Sequence, residues 1–215
     1  MKKLIAILFA SVLFFSAPAM AEIGFGVTAN YSEVDTDGSE TELTGDLEKT
    51  SASVSEDVVI PEVFVEVFND AGWALGLSYI PARELGSKKR TDSDGSDAAE
   101  NDDGDYTAKA EINNLVMLYT DIPIGPVYVK LGLQRAEILT QELLDDTTQY
   151  EDAHVNGYTV GLGYRGNLAD GAAFYKAEVA YTDFDEYRDT SESGTATVVA
   201  DTEVTSARIS LGFAF

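Results

Sequence analysis

The sequence predicts an all-β fold: an eight-stranded, antiparallel, up-and-down transmembrane β-barrel with short turns at one end and long loops at the other. Three observations predict it. Apolar and polar residues alternate with period two through eight segments, the signature of two-faced strands. The connections between those segments alternate short and long without exception. The face opposite the apolar one carries lysines, arginines and glutamates, which acyl chains do not solvate.

The first segment, residues 22–32, sets Ile23, Phe25, Val27, Ala29 and Tyr31 against Glu22, Gly24, Gly26, Thr28, Asn30 and Ser32. The second, near 59–68, sets Val63, Val65 and Val67 against Glu62, Phe64, Glu66 and Phe68. The third, near 73–82, sets Trp73, Leu75, Leu77 and Tyr79 against Ala74, Gly76, Ser78 and Ile80. In the fourth, near 106–119, Tyr106, Ala108, Ala110 and Ile112 oppose Thr107, Lys109, Glu111 and Asn113. Its phase changes around Asn114, where a bulge is expected.

The fifth segment, from 127, pairs Val127, Val129, Leu131 and Leu133 with Tyr128, Lys130, Gly132 and Gln134; Arg135 then falls on the apolar phase, so the strand should leave the lipid there. The sixth, near 154–165, pairs Tyr158, Val160, Leu162 and Tyr164 with Gly157, Thr159, Gly161, Gly163 and Arg165. The seventh pairs Ala173, Tyr175, Ala177, Val179 and Tyr181 with Phe174, Lys176, Glu178, Ala180 and Thr182. The eighth closes the chain as "ARISLGFAF", residues 207–215. Each has room for the roughly 9–11 residues that a tilted strand needs to cross a bilayer.

Three connections are short: Asn69 to Gly72, Asp121 to Pro126 and Gly166 to Gly171. The other four are long and hydrophilic. This is the asymmetry of barrels in the bacterial outer membrane, with short periplasmic turns, long extracellular loops and an even strand number that leaves both termini periplasmic. With directions so fixed, Tyr31, Tyr79, Tyr106, Tyr158 and Tyr181 fall toward the extracellular ends of the apolar stripes. Trp73, Tyr164, Tyr175, Phe213 and Phe215 fall toward the periplasmic ends. They form two aromatic girdles.

On the other phase lie Glu62, Glu66, Lys109, Glu111, Lys130, Arg165, Lys176, Glu178 and Arg208. A Lys or Arg facing lipid at mid-depth costs about 2–4 kcal/mol, so these nine are expected to point inward. Eight strands enclose an interior that side chains just fill, and charges packed there must pair. An ion-paired plug follows, with Gly24, Gly26, Gly132, Gly161, Gly163 and Gly212 making room for its long side chains.

The N-terminus explains how such a chain would reach a membrane. Met1-Lys2-Lys3, the apolar run Leu4 to Phe15 and Ala19-Met20-Ala21 form a secretory leader over residues 1–21. The barrel domain is then 22–215, and the run is shorter than the roughly 20 residues of a spanning helix. The formal charge is −24, and loss of Lys2 and Lys3 makes it −26, which repels nucleic acid. No cysteine is present, and no cofactor-binding or metal-ligating set stands out.

The leader, the eight two-faced strands, the alternating loops and the terminal Phe together resemble the small outer-membrane barrels of Gram-negative bacteria, of the OmpA transmembrane-domain and OmpX type. The resemblance covers 22–215 and is architectural; its one local motif is the last strand. It implies that Phe213 and Phe215 form a sorting signal read by the barrel-assembly machinery, with Ser210 where a glycine is commonest.

The long connections contain "EVDTDGSETE" (33–42), "TDSDGSDAAENDDGDY" (91–106), "ELLDDTTQYED" (142–152) and "DFDEYRDTSE" (183–192). The Asp-x-Asp-Gly fragments at 35–38 and 92–95 lack the closing Glu of a calcium loop, since Thr44 and Asn101 stand there. Loosely held divalent cations or an extracellular ligand are the partners such loops suit, and Lys88, Lys89 and Arg90 could meet lipopolysaccharide phosphates. The one histidine, His154, resembles in placement that of PagL-type lipid A deacylases, but Asn156 occupies the position of their serine. The expectation is a non-enzymatic barrel with a structural, surface-interaction or adhesion role; the alternatives are a narrow passive channel and, behind it, a lipid A acyl hydrolase.

Overall fold

The computed structural model describes residues 22–43, 49–92, 104–143, 153–168, 172–191 and 194–215, and for 83–112 and 138–143 the backbone alone. The expected leader lies outside these residues. Ten strands follow one another: β1 (Glu22–Glu42), β2 (Lys49–Phe68), β3 (Ala74–Ile80), β4 (Arg83–Asp92), β5 (Gly104–Ile124), β6 (Val127–Leu143), β7 (Ala153–Asn167), β8 (Ala173–Phe184), β9 (Tyr187–Thr190) and β10 (Ala196–Ala214). They make eight staves. β3 and β4 both pair with β5 along one line, and β9 continues β8 beside β10.

All pairings are antiparallel between neighbours. β10 then pairs with β1 from Gly24↔Ala214 to Glu42↔Ala196, which closes the ring. Ile23 and Phe215 exchange two backbone hydrogen bonds at 3.1 Å, so both termini of the barrel lie at one end. That end also carries the tight turns. Gly72 and Gly125 hold positive φ there, 87° and 64°, a region that glycine enters at little steric cost.

Alternation sets the faces. Along β1, Gly24, Thr28, Asn30 and Ser32 are buried while Phe25, Val27, Ala29 and Tyr31 are exposed. In β5 the register opposite β6 slips between Asn113 and Val116, and Asn114 adopts φ 51°. The phase change expected there is a bulge, built on the residue type that best tolerates a left-handed backbone after glycine.

The strands run farther than the apolar stripes suggest. β1, read as ending near 32, continues to Glu42; β2 begins at Lys49 and not near 59; β10 begins at Ala196. "EVDTDGSETE" is therefore strand, not loop, and its Asp-x-Asp-Gly fragment is extended rather than coiled about a cation. Period two persists there with Glu33, Asp35 and Asp37 on the outer phase. Ladder hydrogen bonds need no apolar face when the outer one is wet, so apolar patterning marks only the part of a stave that leaves water.

Candidate functional site: an apolar belt around an ion-paired lumen

The lumen is filled in layers. Nearest the termini, Phe64 and Phe68 pack on Phe174 with ring centroids 6.2 and 5.7 Å apart, and the Arg165 guanidinium lies 3.6 Å from the Phe68 ring centre. Above them sits the charged layer. Lys176 Nζ lies 3.0 Å from Glu66 Oε2, 2.6 Å from Asp121 Oδ2 and 3.6 Å from Glu178 Oε2. Lys130 Nζ lies 3.1 Å from Asp121 Oδ1 and 3.2 Å from Glu178 Oε2. Arg208 donates from one terminal nitrogen to both Glu62 oxygens, at 2.5 and 2.6 Å, and Arg165 reaches Glu66 at 2.8 Å.

Two phenols complete the layer: Tyr119 donates to Glu66 at 2.7 Å and Tyr128 to Glu178 at 2.5 Å. Lys130 Nζ also sits 3.5 Å over the Tyr119 ring centre, a cation–π contact. Four carboxylates meet four cations, so the layer is neutral. That neutrality, with more than one partner for Lys176, Lys130, Glu66, Asp121 and Glu178, is what lets ions persist out of water.

Of the residues singled out in the sequence, the structure brings together Glu62, Glu66, Lys130, Arg165, Lys176, Glu178 and Arg208. The side chains of Lys109, Glu111 and Tyr106 lie outside the described residues. Asp121 was read as the start of a turn; it is in β5, buried, and bridges two lysines. The signal for it was the phase after the bulge, where Leu115, Met117, Tyr119 and Asp121 all face in. Tyr128 was read on the inner phase and Tyr119 follows from the same reset of phase, but as uncharged residues neither was read as a member of the network.

The glycine expectation also changes. A Cβ on Gly163 would lie 2.4 Å from Cζ of Tyr128, and one on Gly212 the same distance from Cζ of Phe174. These glycines make room for aromatic rings rather than for lysines and arginines. Gly163→Ala should cost about 1–3 kcal/mol of stability through overpacking. In a Tyr128→Leu background, which itself loses the bond to Glu178, Gly163→Ala should cost less, read from urea midpoints of the refolded protein.

Beyond the ions comes a hydroxyl and amide layer, in which Gln134 donates to Thr159 at 2.6 Å and Thr159 bonds Thr182 at 2.9 Å. Farther out Ile80, Leu115, Ala136, Val155 and Phe184 form an apolar layer inside the ring. The polar plug expected from the sequence is thus capped by a greasy one.

The outer face is the inverse. Phe25 is 50 % exposed, Leu162 50 %, Val179 59 % and Leu211 54 %, in a continuous band across neighbouring staves. A water-soluble protein does not carry such a surface unpartnered, and it encircles a core of ions. The chain is a small transmembrane β-barrel of the outer-membrane type.

No family model matches the sequence of this barrel, and no curated protein is significantly similar to it. Solved structures of similar fold include the neisserial surface protein NspA, at 13 % identity over 86 % of this chain and 95 % of that one, TM-score 0.38. The outer-membrane protein AlkL is similar at 13 % identity over 92 % and 91 %, TM-score 0.46. Ail of Yersinia pestis is similar at 12 % identity over 85 % and 98 %, TM-score 0.33.

Aromatics bound the barrel's belt at both edges. Tyr164, Phe213 and Phe215 are exposed near the termini, Tyr175 packs on Tyr164 with centroids 6.0 Å apart, and Trp73 is half-buried in the turn. At the far edge each tyrosine hands its hydroxyl outward: Tyr31 to Asp57, Tyr79 to Asn114, Tyr158 to Asp183 and Tyr181 to Glu203. Rings in the belt with hydroxyls on polar groups, three acids and one amide, are amphipathic side chains placed at a boundary between two solvents. Arg135, exposed and opposite Asn156, lies beyond this edge.

His154 is exposed beside a cavity of about 270 Å³ lined also by Asn156, Asp185, Glu186, Arg188 and Asp189. No serine hydroxyl lines it. Among the described residues no group of three or more potential ligands could hold a metal ion.

Proposed function

We propose that this protein is an integral outer-membrane barrel of a Gram-negative bacterium, with periplasmic termini, a closed lumen and a non-enzymatic role in surface interaction or adhesion. The observation that carries the surface role is where the charge lies. Because the lumen ions among the described residues balance one another, the net negative charge is expected outside them. On the outer phase past the tyrosines, Glu33 faces Asp57, Asp35 faces Glu203 and Asp37 faces Asp201 across the ladders. Directly opposed like charges cost stability, so an acidic end built this way suits binding rather than folding: divalent cations held loosely, or a basic extracellular ligand.

Lipid and lipopolysaccharide surround the belt in this reading, and the assembly machinery reads Phe213 and Phe215. The second reading is a narrow passive channel. Refolded protein in a planar bilayer is expected to give no steady conductance, because Lys176, Lys130 and Arg208 occupy the lumen with their partners; regular openings would favour the channel. Lipid A deacylation lost in His154→Ala would favour the hydrolase. Binding of host-surface ligands to intact cells, lost when the acidic ends of β1 and β2 are trimmed, tests the surface role itself.

A further inference from the structure

The barrel wall is not sealed all the way up. β2 pairs with β3 only from Val63↔Tyr79 to Phe68↔Ala74. Farther out, among the described residues, β2 continues to Lys49 beside β1 alone, and β4 pairs only with β5. A seam therefore separates β2 from the β3–β4 stave, and two prolines stand at its foot. Continuing the register by two residues would set Pro61 opposite Pro81, and neither has an N–H to give to a ladder.

Beside the prolines the foot of the seam is apolar on its outer and inner faces, and just below it Glu62, set opposite Ile80 by the continued register, is held by Arg208. Val59 and Tyr79 face outward and are exposed. Ile60 and Ile80 face the lumen, where Ile80 belongs to the apolar layer and Ile60 packs against it. Open sheet edges in hydrocarbon are costly because they strand backbone donors; prolines on both lips remove two of those donors. Below, the ion-paired layer blocks the way to the termini end. The foot is also continuous with the lipid-facing belt through Val63, Val65 and Leu77, all exposed.

We propose that this seam admits the acyl chain of an outer-leaflet lipid, which enters sideways between Pro61 and Pro81 and ends against the apolar layer of the lumen. The site is a slot for a hydrocarbon chain in the wall, and it stands whatever the acidic end binds.

Tryptophan quenching by brominated acyl chains tests it in the refolded full barrel domain. Trp73, the one native tryptophan, is first replaced (Trp73→Phe), and folding of each variant is checked by its heat-modifiable mobility on gels. In vesicles of brominated phosphatidylcholine, Leu77→Trp on the outer face sets full quenching. Phe174→Trp, buried in the lumen on the termini side of the ion-paired layer, sets the quenching that passes through an intact wall. Ile80→Trp is expected to lose emission nearly as Leu77→Trp does, and Pro61→Val with Pro81→Val, which lets the ladder continue, should return it to the Phe174→Trp level. Ile80→Trp quenched no more than Phe174→Trp, or quenched by aqueous acrylamide but not by bromolipid, would overturn the slot. Quenching that survives the proline replacements would overturn the seam as its entrance.

Discussion

Lys176→Met is expected to lower the unfolding free energy of the barrel in vesicles by about 3–5 kcal/mol, the cost of breaking a buried ion cluster from one side. Its ammonium touches Glu66, Asp121 and Glu178, and without it the layer holds four carboxylates against three cations. The surplus is shut off from bulk solvent, because Phe64 and Phe174 close one side and the apolar layer the other. Asp121→Asn added to Lys176→Met restores neutrality and should recover much of the loss, while Asp121→Asn alone should destabilise. Urea midpoints read from the heat-modifiable gel band check the series. A Lys176→Met barrel as stable as the wild type would mean that these charges are hydrated and the lumen open.

Leu162→Arg should destabilise the barrel by about 2–4 kcal/mol in a bilayer, the cost of an arginine facing lipid at mid-depth. Leu162 is half exposed between Val160 and Tyr164 on the outer face of β7, a place where an arginine would be harmless on a water-soluble sheet. Asp35→Arg, on the outer phase of β1 beyond the tyrosines, should cost little or even help, since it relieves the repulsion from Glu203. Equal, small effects at both sites would mean that water, not lipid, wets the belt.

The two predictions rest on features of unequal visibility in the sequence. Belt residues such as Val27, Leu162 and Leu211 announce themselves, because a strand's side chains alternate and one solvent selects each face. Their charged counterparts on the other phase are visible by the same rule. The outer halves of β1, β2 and β10 were not, because water instead of lipid wets their outer face and erases the apolar stripe while the ladder continues. Asp121 was hidden for a related reason: the bulge at Asn114 resets the phase of β5, and a polar residue near Gly125 and Pro126 looks like a turn.

The sequence by itself determined the face that each strand with described side chains shows, the end at which the chain turns tightly and the kinds of charge found in the ion-paired layer, since all three follow from period-two spacing and local turn chemistry. Only the tertiary structure decided which charges meet and where the wall opens. Lys176 finds Glu66 across 110 residues and Arg208 finds Glu62 across 146; the stagger of eight staves around a closed ring sets those distances. The end of the β2–β3 ladder at Val63↔Tyr79 has the same origin, because Pro61 and Pro81 fall opposite one another only when that register is continued by two residues.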